Sequence, residues 1–310
     1  MFRGPDGAPH ALRDRCLHRN AELSEGTLEG GCLRCPYHGW TYDAAGRVTA
    51  VPSAGPENAV LPKKRLERFP CQEAHGLVWV YMGDPEDIAC EPFPIPYWNE
   101  DGWRAYYMVT DFENDVTNCV ENFMDVPHTV YVHDKWFRRR ALRSVRATVE
   151  RTEDSVLVTY HQEQDTIGFH GRILNPTGEP MRHTDKFYMP NVTRVDYAFG
   201  SRRAFVITSQ CTPVTATRTR VYTAITFRLG HRLLNALGRL LLPPYTRQVI
   251  EQDVRIMANQ GRSLRRYGSE FLNSEADLLH RCIESLRSWA ESGGAGPRPR
   301  PIRKEIEFWI

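Results

Sequence analysis

The stretch Asn118–His133 reads NCVENFMDVPHTVYVH and places two histidines and an aspartate among apolar residues. Burying such polar groups costs free energy unless a metal ion or hydrogen bonds replace the lost hydration. Asp125 and His128 are three residues apart and would share one face of a helix. His133 lies five residues beyond His128 and would point away from that face. Pro127 removes a backbone donor and can break the helix, so that both imidazoles converge. The stretch predicts a metal site; the alternative is two hydrogen-bonded histidines beside a helix cap at Asp125.

The composition is that of an ordinary globular protein and argues against several other classes. The chain has 310 residues, 41% hydrophobic and 25% charged, which is typical of one large or two modest globular domains. A net charge of +2 argues against nucleic acid or a membrane surface as an obligatory partner. No run approaches the ~18 apolar residues of a membrane span, and the most apolar block, 233–242, is interrupted by Arg239 and followed by two prolines, so we expect a buried helix there. Eight cysteines are too few for a disulfide-stapled secreted fold, which indicates a reducing cytoplasm.

Two short motifs near the start combine thiols with imidazoles. Cys16 and His18 are two residues apart, and Cys35 and His38 are three residues apart. Zinc is the ordinary occupant of a Cys2His2 set, but zinc fingers place both cysteines before both histidines. Interleaved Cys-His pairs favour a two-iron cluster with cysteines on one iron and histidines on the other. Cys32 lies outside this pattern and is expected to be a small buried residue.

Taken in this order, the two motifs and the Asn118–His133 stretch resemble the Rieske ring-hydroxylating and demethylating oxygenases. A two-histidine, one-carboxylate iron site also needs an acidic residue from elsewhere in the chain. Glu251 and Asp253 are the candidates. We prefer Asp253, because its spacing to Ile256 and Gln260 resembles the family helix that returns the third iron ligand.

The resemblance implies two cofactors. A Rieske [2Fe-2S] cluster would be bound by Cys16, His18, Cys35 and His38, and a mononuclear Fe(II) by His128, His133 and Asp253. Dioxygen would bind beside a small organic substrate, with electrons from NAD(P)H delivered through a separate reductase or ferredoxin.

Asp125 is implied to be the bridge between subunits of a homotrimer, joining one subunit's cluster histidine to the next subunit's iron histidine. Independently of the resemblance, Asp125 can accept the imidazole N–H that His128 leaves free when its other nitrogen binds iron. We also expect Asn118 to donate a hydrogen bond near the iron. Glu121 and Asn122 are expected to be structural.

The predicted fold is α+β in two domains. Residues 1–84 form a small antiparallel β Rieske domain, ending at the linker that starts with Gly83-Asp84-Pro85, and residues 85–310 form the catalytic domain. That domain has an antiparallel sheet flanked by helices, with strands predicted at 144–160, 182–188, 194–199, 202–209 and 220–227, and helices at 112–132, 233–267 and 274–291. Few strands precede Cys16, whereas family members usually have several, so we expect an incomplete first sheet. The tail 293–303 is expected to be poorly ordered.

The predicted reaction is monooxygenation, as hydroxylation or O- or N-demethylation. Three alternatives remain: an aromatic-ring dioxygenase, an electron-transfer protein, and a zinc-stabilised ligand-binding protein. The substrate pocket is expected between Ser144 and Phe227. Candidate liners, each of which could be ordinary core, are Phe169, Phe187, Phe205 and Tyr222. His161, His170 and His183 receive no role. The basic run 63–65 is a solvated face or a surface that steers an acidic electron donor.

Overall fold

The computed structural model describes residues 1–55, 61–88, 90–134, 143–161, 175 and 178–310. The chain divides into two compact units, Met1–Pro94 and Ile95–Ile310. The first unit extends ten residues beyond the boundary predicted after Asp84. One reason is local: the Tyr81 hydroxyl donates to the carbonyl oxygen of Asp87 at 2.8 Å, which folds the chain after Gly83 back onto its own unit.

The first unit is built from short antiparallel strands. Its described strands are β1 (Phe2–Arg3), β2 (Pro9–Leu12), β3 (Thr27–Glu29), β4 (Cys32–Arg34), β5 (Thr41–Tyr42), β6 (Val48–Ala50), β7 (Arg68–Phe69), β8 (Cys71–Ala74) and β9 (Leu77–Val80). They form the sheets β1-β2-β7 and β3-β4-β5-β6 and the hairpin β8-β9. Cys16, Cys35 and Tyr42 belong to the small core of this unit. Cys32 is only half-buried on β4.

The second unit is organised by one antiparallel sheet. Its described strands are β10 (Arg104–Phe112), β11 (Ser144–Arg151), β12 (Ser155–His161), β13 (Met181–Tyr188), β14 (Val192–Phe199), β15 (Arg203–Thr215), β16 (Arg218–Leu229) and β17 (Ile302–Trp309). Their order is β10-β16-β15-β14-β13-β12-β11-β17. The single strand predicted over 144–160 is wrong: it is a hairpin, because the Thr152 amide bonds the Ser155 carbonyl at 2.9 Å and closes a turn.

Four helices complete the described part of this unit: α1 (Val116–Met124), α2 (Thr129–Val132), α3 (Arg232–Tyr267) and α4 (Leu278–Glu291). The predicted helix 112–132 is broken around Pro127, as the sequence indicated. The α1 helix packs against β13–β16 and α4, and its Val120 and Met124 are fully buried. The predicted α+β fold is confirmed.

The helix predicted over 233–267 is present as α3, but the burial predicted for its first turns is wrong. The helix over 233–242 exists, but it is not buried: Leu233 and Leu240 are 63% and 72% exposed. It also continues through Pro243 and Pro244. The carbonyl groups that these prolines leave unbonded belong to the exposed residues 239 and 240, where water can satisfy them.

The end of the chain forms an edge strand that the sequence-based prediction missed. Residues 302–309 are β17, which pairs antiparallel with β11. Ile306 and Phe308 are buried while Glu305, Glu307 and Trp309 are exposed, which is the alternation of a half-buried strand.

Within the part of the chain that the structure describes, no helix is both long and apolar enough to cross a membrane.

Candidate metal centres and substrate cavity

The short segment after α1 brings the two histidines toward each other. Asp115 caps α1 by accepting from the Asn118 amide at 3.0 Å, and the helix ends where Asp125 adopts an extended backbone with φ −89° and ψ 113°. The chain then forms the single turn α2, flanked by His128 and His133. An uninterrupted helix would separate these imidazoles by their five-residue offset. The pair therefore depends on α2 ending after one turn, where His133 leaves helical geometry with φ −105° and ψ 26°.

The α3 helix brings Asp253 to this pair. The Nε2 atoms of His128 and His133 are 3.3 Å apart, and Asp253 Oδ1 lies 3.4 Å from the first and 3.2 Å from the second. His133 and Asp253 are 3% and 5% exposed. One ligand atom from each residue lies within 4.8 Å of the others. Two imidazoles and one carboxylate on one side of a centre form the facial triad that suits non-haem Fe(II).

The polar atoms of this triad fit a bound cation. Asp253 Oδ1 is buried and has no hydrogen-bond partner among the described residues, so it is oriented for another ligand. Burial disfavours the charged form of each group, but contacts with Asp125 and Asp253 outweigh it and raise the pKa of His128 to about 10. Likewise, His128 and His133 outweigh burial and lower the pKa of Asp253 to about 2. The carboxylates are thus arranged to stabilise positive charge at this position.

Each imidazole has an outer partner. Gln252 Oε1 lies 2.8 Å from His133 Nδ1, a hydrogen-bond distance that fixes the tautomer leaving the Nε2 lone pair for a metal. Asp125 Oδ2 lies 3.3 Å from His128 Nδ1, which is an ion-pair distance without hydrogen-bond geometry. The sequence-based prediction proposed the partner of His128 but missed Gln252. The signal was available, since every metal-bound imidazole needs an acceptor for its second nitrogen and Gln252 precedes the preferred ligand.

We expect Gln252→Leu to weaken iron binding about 10- to 100-fold, the usual effect of losing the outer partner of a metal-bound histidine. Iron titration of the metal-free chain measures this directly. Glu251→Leu is the matched control, because Glu251 is the exposed neighbour on the same helix. Equal losses in both variants would contradict the role of Gln252.

The structure places the remaining predicted residues of this site differently. Glu251 is exposed and lies away from the triad, so only Asp253 converges with the histidines. The expectation that Asn118 donates near the iron finds no support. Its side-chain amide donates to Asn114 Oδ1 at 3.0 Å and to Asp115 Oδ2 at 2.5 Å, so it serves the start of α1. Asn122, expected to be structural, lines the cavity described below.

The Cys-His loops of the first unit form the second candidate centre. Cys16 and Cys35 are 1% and 3% exposed, and the rings of His18 and His38 have centroids 4.6 Å apart. His18 Nδ1 is buried without a hydrogen-bond partner among the described residues. A pair of buried thiols beside a pair of imidazoles, one with an unpartnered nitrogen, fits the ligand set of a Rieske cluster.

Tyr42 supports the thiol side of this centre. Its hydroxyl lies 3.1 Å from Cys16 Sγ and accepts from the Leu17 amide at 3.1 Å. Burial opposes thiolate formation, but the hydrogen bond from Tyr42, with further donors, outweighs it and lowers the pKa of Cys16. The thiolate is the form that binds metal.

An apolar cavity of about 460 Å³ adjoins the His-His-Asp triad in the second unit. Its walls include all three triad residues and Asp125, with apolar side chains from β14–β16 and α3. Phe205 lines the cavity as predicted, whereas Phe187 is fully buried core and Tyr222 is not among the lining residues. Phe169 and His170 lie outside the described residues. His161 contacts Thr148 Oγ1 at 2.6 Å at the sheet edge.

Comparison with known proteins identifies the family that combines these two units. Residues 1–70 match the Rieske [2Fe-2S] domain family, and residues 113–283 match the vanillate O-demethylase oxygenase C-terminal domain family. Because the second match covers more than half of the chain, the chain belongs to the Rieske oxygenase family, which confirms the predicted resemblance. A Rieske domain implies a [2Fe-2S] cluster.

Two curated proteins and one solved structure illustrate what this chain is similar to. The chain is 34% identical over 168 residues to 4β-methylsterol monooxygenase from Methylococcus capsulatus, covering 53% of this chain and 45% of that protein. It is 35% identical over 127 residues to the methylxanthine N1-demethylase NdmA from Pseudomonas putida, covering 40% and 35%. The chain thus spans half or less of the length of these curated relatives. The structure of dicamba monooxygenase bound to 3,6-dichlorosalicylic acid shares the fold, with a TM-score of 0.77, 21% identity and coverage of 94% of this chain and 90% of that chain.

Proposed function

We propose that this chain is the oxygenase component of a Rieske monooxygenase system, which hydroxylates or O- or N-demethylates a small organic substrate. The observation that carries the proposal is the convergence of His128, His133 and Asp253 at the wall of an apolar cavity. Iron bound there would activate dioxygen, with electrons supplied through the [2Fe-2S] cluster. Those electrons come from a separate NAD(P)H-dependent reductase or ferredoxin.

Other residues bind the cluster, orient a metal ligand and exclude water. Cys16 and Cys35 hold the cluster through thiolates, and His18 and His38 hold it through ring nitrogens. Gln252 keeps His133 in the tautomer that leaves its Nε2 lone pair for iron. The apolar walls of the cavity exclude water around the reacting bond.

Asp125 is proposed to link the two kinds of centre between copies of the chain. One of its carboxylate oxygens faces His128 at 3.3 Å, which leaves the other for the N–H of a cluster histidine in the next subunit of a homotrimer. The exposed position of His38 on its own unit is compatible with such a contact. In this arrangement one short bridge gives electrons a path from cluster to iron.

The choice of monooxygenation over dihydroxylation follows the names of the relatives, a methylsterol monooxygenase and a methylxanthine N1-demethylase. A reducing compartment such as the cytoplasm fits the eight cysteines, all of which are free.

The test is oxygen-dependent turnover. The full chain, loaded with iron and cluster, is combined with a surrogate NADH-dependent reductase and a panel of methoxy- and N-methyl-substituted ring compounds. We expect NADH consumption that depends on substrate, formaldehyde release, and incorporation of label from ¹⁸O₂ when the product is an alcohol. Reduction of the cluster without any oxidised product would identify an electron-transfer protein. Zinc without visible absorption would identify a ligand-binding protein.

A further inference from the structure

Apart from the histidines, the side chains charged at neutral pH among the described residues of the cavity lining are all carboxylates. Among the lining residues that the structure describes, there is no lysine or arginine. The acidic lining residues are Asp125 and Asp253, which belong to the metal site, and Asp185, which lies on β13. An anionic group held away from the metal site would lose its hydration in this cavity and find no lysine or arginine among these described lining residues to compensate. It would also face carboxylates.

Asp185 is held rigidly by its own partners. Tyr160 Oη donates to Asp185 Oδ2 at 2.8 Å, and His183 Nε2 lies 2.8 Å from Oδ1. The His183 ring is stacked between Tyr160 and Tyr197, with centroid distances of 4.3 and 4.4 Å. Asp185 and His183 are 2% and 1% exposed. The carboxylate is therefore fixed in position before any ligand arrives.

A fixed carboxylate at a cavity wall remains a hydrogen-bond acceptor. Each carboxylate oxygen has two lone pairs, and the described contacts use one on each oxygen. A second bond from a ligand hydroxyl or N–H can therefore be accepted without breaking the first. The mechanism described above makes no use of this group.

The rest of the cavity favours a ligand with a mainly apolar surface. Its volume of about 460 Å³ lies in the range that encloses a drug-sized molecule. The aliphatic and aromatic lining residues away from the metal site include Val195, Phe205, Ile207, Ile225, Leu229 and Leu242. A mainly hydrocarbon ring system would gain from burial against these side chains.

Building on the proposed function, we propose that the cavity binds a neutral, mainly hydrocarbon substrate that carries a hydroxyl or N–H group, and that Asp185 accepts the hydrogen bond from that group. Asp185 is then a specificity-determining residue, which orients the substrate relative to the metal site. An ether in place of the hydroxyl removes the donor. A sulfate or carboxylate in its place adds an uncompensated buried charge.

The test compares matched probes on the full chain. Estradiol, its 3-methyl ether and its 3-sulfate form one set, and 2-naphthol, 2-methoxynaphthalene and 2-naphthoate form a second, smaller set. Equilibrium dialysis without reductant measures binding, so the result is independent of turnover. We expect the hydroxyl probe to bind about tenfold more tightly than its ether, the effect of one hydrogen bond to a charged group. The anionic probe of each set should bind more weakly than both.

Two variants separate the roles. Asp185→Asn should weaken the preference for hydroxyl over ether, because the amide oxygen is an uncharged and weaker acceptor than a carboxylate. Asp196→Asn should keep the full preference, because Asp196 lies on the adjacent strand, pairs with Arg194 and does not line the cavity. Leu237→Lys places a cation at a 45% exposed lining position and should raise the affinity for the anionic probes several-fold. This second variant tests the charge argument even if Asp185→Asn does not fold.

Three results would overturn the inference: an anionic probe that binds the unaltered chain as tightly as its hydroxyl partner, a hydroxyl preference that is undiminished in Asp185→Asn, or no binding of any neutral probe. These outcomes differ from failure of the proposed function, which would appear as absent oxygenation despite normal binding.

Discussion

Asp253→Ala will abolish iron binding in the second unit and reduce oxygenation by at least about 100-fold, since a metal ligand contributes more than the outer partners, whose loss costs 10- to 100-fold. The carboxylate lies between two imidazoles at 3.2 and 3.4 Å, and its Oδ1 has no other hydrogen-bond partner among the described residues. Iron content by elemental analysis and substrate-dependent NADH oxidation measure the two effects. The visible spectrum of the cluster should be unchanged, because its ligands lie in the other compact unit.

Glu251→Ala is the control for this experiment. It removes a carboxylate from the same helix two residues earlier, at an exposed position. We expect full iron content and turnover in this variant. If both variants lose iron equally, or if Asp253→Ala keeps it, the metal site is not where the geometry places it.

Asp125→Asn will leave both cofactors bound but reduce oxygenation about 100-fold, the upper range for an outer partner of a metal-bound histidine. The substitution keeps the shape of the side chain and removes the charge beside His128. If Asp125 also bridges neighbouring subunits, reoxidation of the reduced cluster in the presence of substrate and oxygen should slow by a similar factor. Stopped-flow absorbance of the cluster measures that rate.

Glu121→Gln is a matched control on the same helix, one turn before Asp125. Burial, together with the nearby carboxylates of Glu284, Asp115 and Asp125, raises the pKa of Glu121 to about 8. Its carboxyl group is therefore mostly protonated at pH 7, and glutamine resembles that state. We expect wild-type reoxidation in Glu121→Gln; wild-type reoxidation in Asp125→Asn would exclude the bridge.

Much of the site could be predicted because ligands of a metal are limited in chemistry and spacing. The break at Pro127 and the candidate ligand Asp253 both followed from the residues and the family resemblance. Spacing alone did not exclude Glu251, however. That choice depends on which face of α3 turns toward α2, and this is a property of the packed helix.

The failures have local causes. Asn118 has the right residue type near the histidines, but a helix cap at Asp115 commits its side chain to the start of α1. The turn within 144–160 contains no glycine or proline, because Thr152 and Ser155 close it with their own hydrogen bonds. Phe187 and Phe205 are both apolar residues in strands of alternating polarity, so the sequence does not distinguish them. The packing of the sheet places Phe187 in the core and Phe205 at the cavity wall.

The long helix α3 has two functions, and its first turns serve only one of them. Before the paired prolines it presents Leu234, Leu237 and Leu241 to the cavity. After them it continues to line the cavity and also presents Gln252 and Asp253 to the histidines. Substitutions in the earlier turns can therefore change the size and polarity of the chamber while the later turns keep their positions. Substrate range can therefore change in evolution through substitution of a few aliphatic residues, while the metal ligands stay the same.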